Sequence, residues 1–336
     1  VNSNPQLFYV ASACGVESSG TVDNPKLVCK PTYICSSDEV EEMKPKFETA
    51  ANLAAAQVDK SLDEYQQALL VDDYLALNCE YDYDNYKNNK VPEISHTAYG
   101  SLVNQVAVCD GDADAFAYIM EDKLGISCGV ISSDAMHHAW NMIGIGKEWY
   151  HVDVTWDDPA YDRICRVLHE NFLCSDSKIS KDSPDAANDN GDNHYSWNDA
   201  HTADSTAYDD AFWGKIKSGC AICYHNGAWY YARYRDDIPS VIQFVKRTND
   251  SFLEGEEEKL LDFEPWKGEL EGSFWAGCYV YLAQADGKLY FNSQDAIYRL
   301  GSDEGKVEVY SPTDLDCKKI YGFTVRGNEL WYVLDS

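Results

Sequence analysis

The segment HHAWNMIGIGKEWYHVDVTW, from His137 to Trp156, constrains this chain more than any other. Two runs rich in aromatic and β-branched residues flank a glycine, the pattern of a β-hairpin closed by a two-residue turn. If Ile145 and Gly146 form that turn, Gly144 faces Lys147, and counting outward sets His138 opposite Asp153. Opposed residues share a face with ~5 Å between Cβ atoms, close enough for a carboxylate to orient an imidazole. A longer loop makes the pair diagonal, still within reach. The same parity turns His137 to the other face and sets His151 across from Trp140, and both read as structural.

Upstream, Ala113, Phe116, Ala117, Met120 and Leu124 form one helical stripe that ends at Gly125, so Cys109 stands where a loop enters a helix. Thiolates at helix N-termini are stabilised by the exposed N–H groups and the helix dipole. A thiol at a helix start, a histidine on a strand and an aspartate on the next strand make a Cys-His-Asp triad of Cys109, His138 and Asp153. In it the imidazole takes the thiol proton, the carboxylate fixes its tautomer, and the thiolate attacks an acyl carbon. The oxyanion calls for donors: the Cys109 backbone N–H is one, and Tyr99, Asn104 and Gln105 are the side-chain candidates. Trp140, Asn141, Trp156 and Asp112 flank the site. Asp110 and Asp112 oppose a thiolate, since an acid at about 6 Å and an effective dielectric of ~20 costs ~3 kcal/mol, unless it faces solvent or pairs with a cation. No metal and no cofactor is needed.

These residues resemble a known family. AYGSLVNQVAVCDGDADAFAYIMEDKLGI and HHAWNMIGIGKEWYHVDVTWDDP look like the transglutaminase-like superfamily, above all its bacterial extracellular branch with VCxGYA, HAWN and DVTWDDP. VDDYLALNCEYD and FLCSD resemble the flanks of that branch, so the likeness runs from about Leu62 to Asp176. It implies an α+β, papain-like core with Cys109, His138 and Asp153 at the catalytic positions. Activities in the superfamily include protein cross-linking, peptide hydrolysis and deglycosylation, and some members have lost catalysis. The chain departs from the pattern at Asp112, where tyrosine is common, and at Asp72, where histidine is common.

With 27 basic against 57 acidic residues the net charge is −30, which repels a nucleic acid over most of the surface. No apolar run approaches the ~18 residues of a membrane span. At 336 residues two domains are expected: an N-terminal arm over 1–36, a transglutaminase-like domain over 37–218 and a smaller all-β domain over 219–336. The helices of the middle domain are read from Val40, Phe47, Ala51 and Ala54, with a kink or restart at Pro45, and from a capping box of Ser61 with Glu64. Glu80–Glu93 reads as a loop, and Asp157–His201 as an excursion whose acids, Asp182–Asp192, lack calcium-loop spacing. In the last domain GAWYYARY, GKLYFNS and GNELWYV repeat a glycine turn before an aromatic strand, like propeller blades but too few to close a ring.

Twelve cysteines are scattered along the chain. Cys220 and Cys223 have zinc-knuckle spacing without a second such pair, so they read as structural. The chain begins at Val1, and a signal or lipid anchor is expected upstream, with disulfides if the protein is exported. The expected function is that of a secreted bacterial cysteine enzyme, extracellular or at the cell surface. It hydrolyses or transfers amides of a polypeptide or cell-wall-associated substrate through a thioester. The alternative is a non-catalytic cell-surface module that keeps the fold for binding.

Overall fold

The computed structural model describes residues 4–21, 23–134, 136–158, 166–182, 197, 201–216, 219–235, 241–248, 252–253, 255–264, 266, 279–313, 318–326 and 329–335. The chain divides into two units, one of residues 1–155 and 175–204, the other of 156–174 and 205–336.

The first unit begins with an antiparallel ribbon of β1 (Val10–Thr21) and β2 (Asn24–Tyr33). The helix α1 (Ser37–Ala55) follows, capped by the reciprocal bonds of Ser36 and Glu39. Of the kink or restart expected at Pro45, the restart does not occur, and the helix is continuous through it. Its core face of Val40, Phe47, Ala51 and Ala54 is buried, and that packing outweighs the one backbone bond proline removes. The N-terminal segment packs on the first unit: Phe8 is 1% exposed and meets Phe47 in a tilted ring contact, as Phe47 in turn meets Tyr118.

The helix α2 (Glu64–Asn78) is capped by Asp63 and Gln66 rather than by Ser61, whose hydroxyl and N–H both bond to Asp59. Asp63 with Gln66 has the same three-residue spacing as Ser61 with Glu64, and hydrogen bonding within the preceding turn decides between them. The run expected to be a loop instead carries β3 (Glu80–Tyr81) and the short helix α3 (Tyr83–Lys87). The strand β3 pairs in parallel with β4 (Val106–Ala107), Tyr81 opposite Ala107.

The helix α4 (Cys109–Tyr118) buries Ala113, Phe116 and Ala117, continues as a π-helical turn through Leu124 and ends at Gly125 with φ +76°, the left-handed cap the sequence predicts. The three strands β5 (Cys128–Ser133), β6 (His138–Ile145) and β7 (Glu148–Val152) then pair antiparallel in order. Asn141, fully buried on β6, donates to the carbonyl of Ala113 at 2.9 Å and so pins the sheet to α4. A helical turn, α5 (Val154–Asp157), follows β7.

The second unit contains β8 (Phe172–Cys174) and, beyond the helix α6 (Asp176–Asp182) of the first unit, three antiparallel sheets. The first has four strands, β9 (Cys223–His225), β10 (Ala228–Tyr234), β11 (Ile242–Thr248) and β12 (Glu256–Phe263), each beside its neighbour in sequence. The second repeats that order with β13 (Leu282–Ala285), β14 (Lys288–Asn292), β15 (Ile297–Leu300) and β16 (Lys306–Tyr310). The third is the pair β17 (Lys319–Arg326) and β18 (Glu329–Asp335). Phe244 of the first sheet stacks on Phe291 of the second at 4.6 Å, and Ile320 and Phe323 of the third pack with Ile297.

The unit does not begin near residue 219. Phe172, Tyr208 and Phe212 gather around Trp213, and Phe212 also meets Trp229 and Tyr231 of β10, so aromatic packing draws 166–174 and 205–216 into it. The acidic run expected to be a solvated loop falls mostly on residues outside those described. Among the described residues no helix is long and apolar enough to cross a membrane.

Candidate active site

The position of Cys109 is set by the backbone just before it. Val108 is extended, with φ −114° and ψ 178°, and its N–H donates to the carbonyl of Ser95 while its own carbonyl receives the N–H groups of Gly111 and Asp112. Gly111 allows this close approach: a Cβ there would stand 2.6 Å from the Ser95 carbonyl oxygen and 3.0 Å from the Ala107 side chain. The half-buried thiol therefore lies in the first turn of α4.

His138 opens β6 opposite Ser133, and its Nε2 lies 2.7 Å from Oδ2 of Asp153. The same imidazole is hydrogen-bonded to the Cys109 side chain, so the three residues expected to act together do meet. With Nε2 committed to Asp153, Nδ1 is the nitrogen left to serve the sulfur. The His138 and Asp153 side chains are 9% and 1% exposed. Burial opposes charge on His138, but the field and hydrogen bond of Asp153, together with Cys109, outweigh it and push the imidazole up to about 10. An imidazolium beside a thiol favours the thiolate.

The register that brings them together differs from the one expected. Ile145 pairs with Glu148 and Asn141 with Val152, so the turn is Gly146-Lys147 and His138 and Asp153 are diagonal rather than opposed. Gly146 has φ +64° and occupies the first turn position, which lets Ile145 stay in the ladder. Asp153 lies one residue past the end of β7 rather than on it. A slip of two positions preserves the face, and the pair still closes. His137 is not on a strand face: it is an exposed turn residue with φ +51°.

Trp140 stacks on the His138 ring at 5.6 Å with 17° between planes. Trp156, three residues past Asp153, falls in the second unit. Asp112 answers the concern its charge raises. It is buried and accepts from Ser101 Oγ at 2.8 Å and Thr155 Oγ1 at 3.3 Å, with Cys79 as a further partner. Burial pushes its carboxyl up to about 6, against those hydrogen bonds. Asp110 is paired with Nδ1 of His96 at 2.9 Å, and that hydrogen bond raises the His96 pKa against burial. A protonated His96 offsets the acid next to the nucleophile.

Of the side-chain candidates for the oxyanion, one is packed on the N-terminal segment and two are exposed. The Tyr99 ring packs on Phe8 at 4.9 Å and its hydroxyl senses Cys35, because the helical turn after His96 points it toward the N-terminal segment. Asn104 and Gln105 are exposed at the end of a π-helical turn, Gln105 with φ +58°. Tyr81 is the residue that sequence reasoning missed. The pairing of β3 with β4 sets it beside the approach to Cys109, and burial followed by the fields of Cys109, Tyr86, Asp112 and Asp110 raises its phenol far above its ordinary value. It stays protonated and able to donate. A two-residue parallel bridge has no pattern of its own in a sequence, and the EYDYDNYK run around it reads as polar.

Residues 51–154 match the family model of the transglutaminase-like superfamily. One solved structure, described as the crystal structure of a TGase, aligns over 48% of this chain at 11% identity and a TM-score of 0.30, too slight a likeness to carry an argument. The alignment spans 49% of that protein's own length. No curated protein matches.

Proposed function

We propose that this chain, whose residues 51–154 match the family model of the transglutaminase-like superfamily, is a cysteine enzyme that transfers or hydrolyses the acyl group of an amide through a thioester on Cys109. The observation that supports this reading is that His138 is hydrogen-bonded to both the Cys109 side chain and the buried Asp153 carboxylate. The thiolate attacks the amide carbonyl carbon, and the oxyanion is met by the first-turn N–H of Cys109, with the Tyr81 hydroxyl as the side-chain donor. The His138 imidazolium gives its proton to the departing amine nitrogen as the C–N bond breaks. Neutral His138 then takes a proton from water or an acceptor amine, which attacks the thioester and releases the thiolate. Asp153 holds the ring and stabilises its cation throughout. The net charge of −30 disfavours a nucleic-acid substrate, and the substrate we infer is a polypeptide or cell-wall-associated amide outside the cell or at its surface.

The test is a glutamine-containing peptide offered with a labelled primary amine, followed by mass spectrometry. An acyl adduct on Cys109, lost in Cys109→Ala and His138→Ala, supports the reading, and the product distinguishes transfer from hydrolysis. Brief iodoacetamide treatment gives a second measure, with the exposed Cys29 as internal reference. No adduct, and alkylation of Cys109 no faster than that of Cys29 and unchanged by His138→Ala, would leave the chain as a non-catalytic binding module.

A further inference from the structure

Behind the His138 ring lies a second chain of buried contacts, and it ends on a residue outside the matched segment. The Trp140 indole that stacks on His138 donates its Nε1–H to Nδ1 of His151 at 3.0 Å. On the far side of that imidazole, Nε2 lies 2.9 Å from Oδ1 of Asp176, the first residue of α6, and the same oxygen accepts the Ala203 N–H. His151 is fully buried, and Trp197 packs edge-on against both rings, 4.6 Å from His151 and 6.2 Å from Trp140.

The donor inventory fixes the protonation of this chain. An indole only donates, so Nδ1 of His151 carries no proton; a carboxylate only accepts, so Nε2 carries one. A doubly protonated His151 would set Nδ1–H against the indole N–H. The ring is therefore neutral and in one tautomer, in keeping with the lowered affinity for protons that burial gives it against the opposing charges of Asp176 and Asp153.

We propose that Asp176, His151 and Trp140 are positioning residues that set the plane of the His138 ring, an inference that rests on the reading of His138 as the general acid and base. Asp153 and Cys109 hold the ring through its two nitrogens, but these in-plane bonds leave it some freedom to tilt. The Trp140 face removes that freedom only if the indole is itself held, and its N–H can be held only by an acceptor. Neutral His151 is that acceptor, and Asp176 decides which of its nitrogens is free to accept. The arrangement brings a residue 23 positions past Asp153 into control of the imidazole that faces the thiol.

Three variants of the full chain test this: His151→Leu, which removes the acceptor; His151→Gln, which can accept from the indole and donate to Asp176; and Asp176→Ala, whose site is 30% exposed and tolerates change better. Two readouts are used. One is the pH profile of Cys109 alkylation by iodoacetamide. The other is the downfield proton resonance of His138 Nε2–H in its bond to Asp153, which does not depend on turnover. His151→Leu is expected to slow alkylation at pH 7 by roughly 10-fold or more, move the profile and shift or broaden the resonance, with Asp176→Ala smaller in the same direction. His151→Gln should return both to within about threefold of the parent. The proposal is overturned if folded His151→Leu or Asp176→Ala leaves profile and resonance unchanged, or if Gln is as impaired as Leu. If His151→Leu fails to fold, Asp176→Ala with Gln decides. Should Cys109 alkylation ignore His138→Ala while the resonance still responds to His151→Leu, the catalytic reading falls and the positioning contact stands.

Discussion

Replacing Asp112 by asparagine separates the charge of this buried acid from its hydrogen bonds. The carboxyl stands at about 6 in the folded protein against an ordinary 3.8. A gap of about two pH units corresponds to ~3 kcal/mol. Because the folded value is the higher one, the stability belonging to the protonated form is fully present below pH ~4 and is lost as pH rises through ~6. Asparagine keeps the size and still offers an acceptor to Ser101 Oγ and a group for Thr155, so the link between α4 and the turn after Asp153 survives. The expected result is that Asp112→Asn gains on the parent by ~3 kcal/mol between pH 4 and pH 7, with a slope of about 1.4 kcal/mol per pH unit. Urea unfolding followed by hydrogen exchange of α4 amides, at four pH values, measures the difference on the first unit itself. Parallel curves for the two proteins would refute the argument, because they would mean that Asp112 titrates alike in the folded and unfolded chains. Asp112→Ala should behave differently at all pH values: it leaves the Ser101 and Thr155 hydroxyls without their acceptor and costs ~1–3 kcal/mol beyond the charge effect.

Other expectations follow from neighbouring geometry. Gly111→Ala puts a methyl against the Ser95 backbone carbonyl, which cannot rotate away, so the variant should lose ~1–3 kcal/mol and much of its Cys109 alkylation rate, as melting and peptide mapping would show. Asp114, buried with Oδ1 unpartnered among the described residues and its carboxyl pushed up to about 7 mainly by burial, should give an Asp114→Asn variant that is more stable than the parent at pH 8 and loses that advantage by pH 4. The His138 imidazolium, raised to about 10 by Asp153 and Cys109 against burial, contributes stability that is complete below pH ~6.5 and lost as pH rises through ~10. Titration of its ring resonances should place the midpoint there, and Asp153→Asn should bring it down by more than one pH unit.

The two-residue period of a strand already set His138 and Asp153 on one face in the sequence, and the stripe from Ala113 to Leu124 already set Cys109 at a helix start. Both conclusions survive because they rest on periodicity, which a register slip of two leaves intact. The register itself was decided by the backbone of Gly146, whose positive φ put it first in the turn rather than second. Which cap opens α2 was settled by hydrogen bonds within one turn of chain, while the continuity of α1 through Pro45 and the place of Phe8 in the core were settled by packing against residues far away in sequence. The same holds for the partners of Asp112, for Tyr81 beside Cys109, and for Asp176 behind His151. Each of these contacts joins groups separated by 11 to 28 positions or more, and no local propensity encodes such a meeting. Sequence determined that Cys109 opens a helix and that His138 and Asp153 share a face, because those follow from local geometry. Tertiary structure decided what holds them, because a buried polar group must be satisfied by whatever donor or acceptor the folded chain brings within reach.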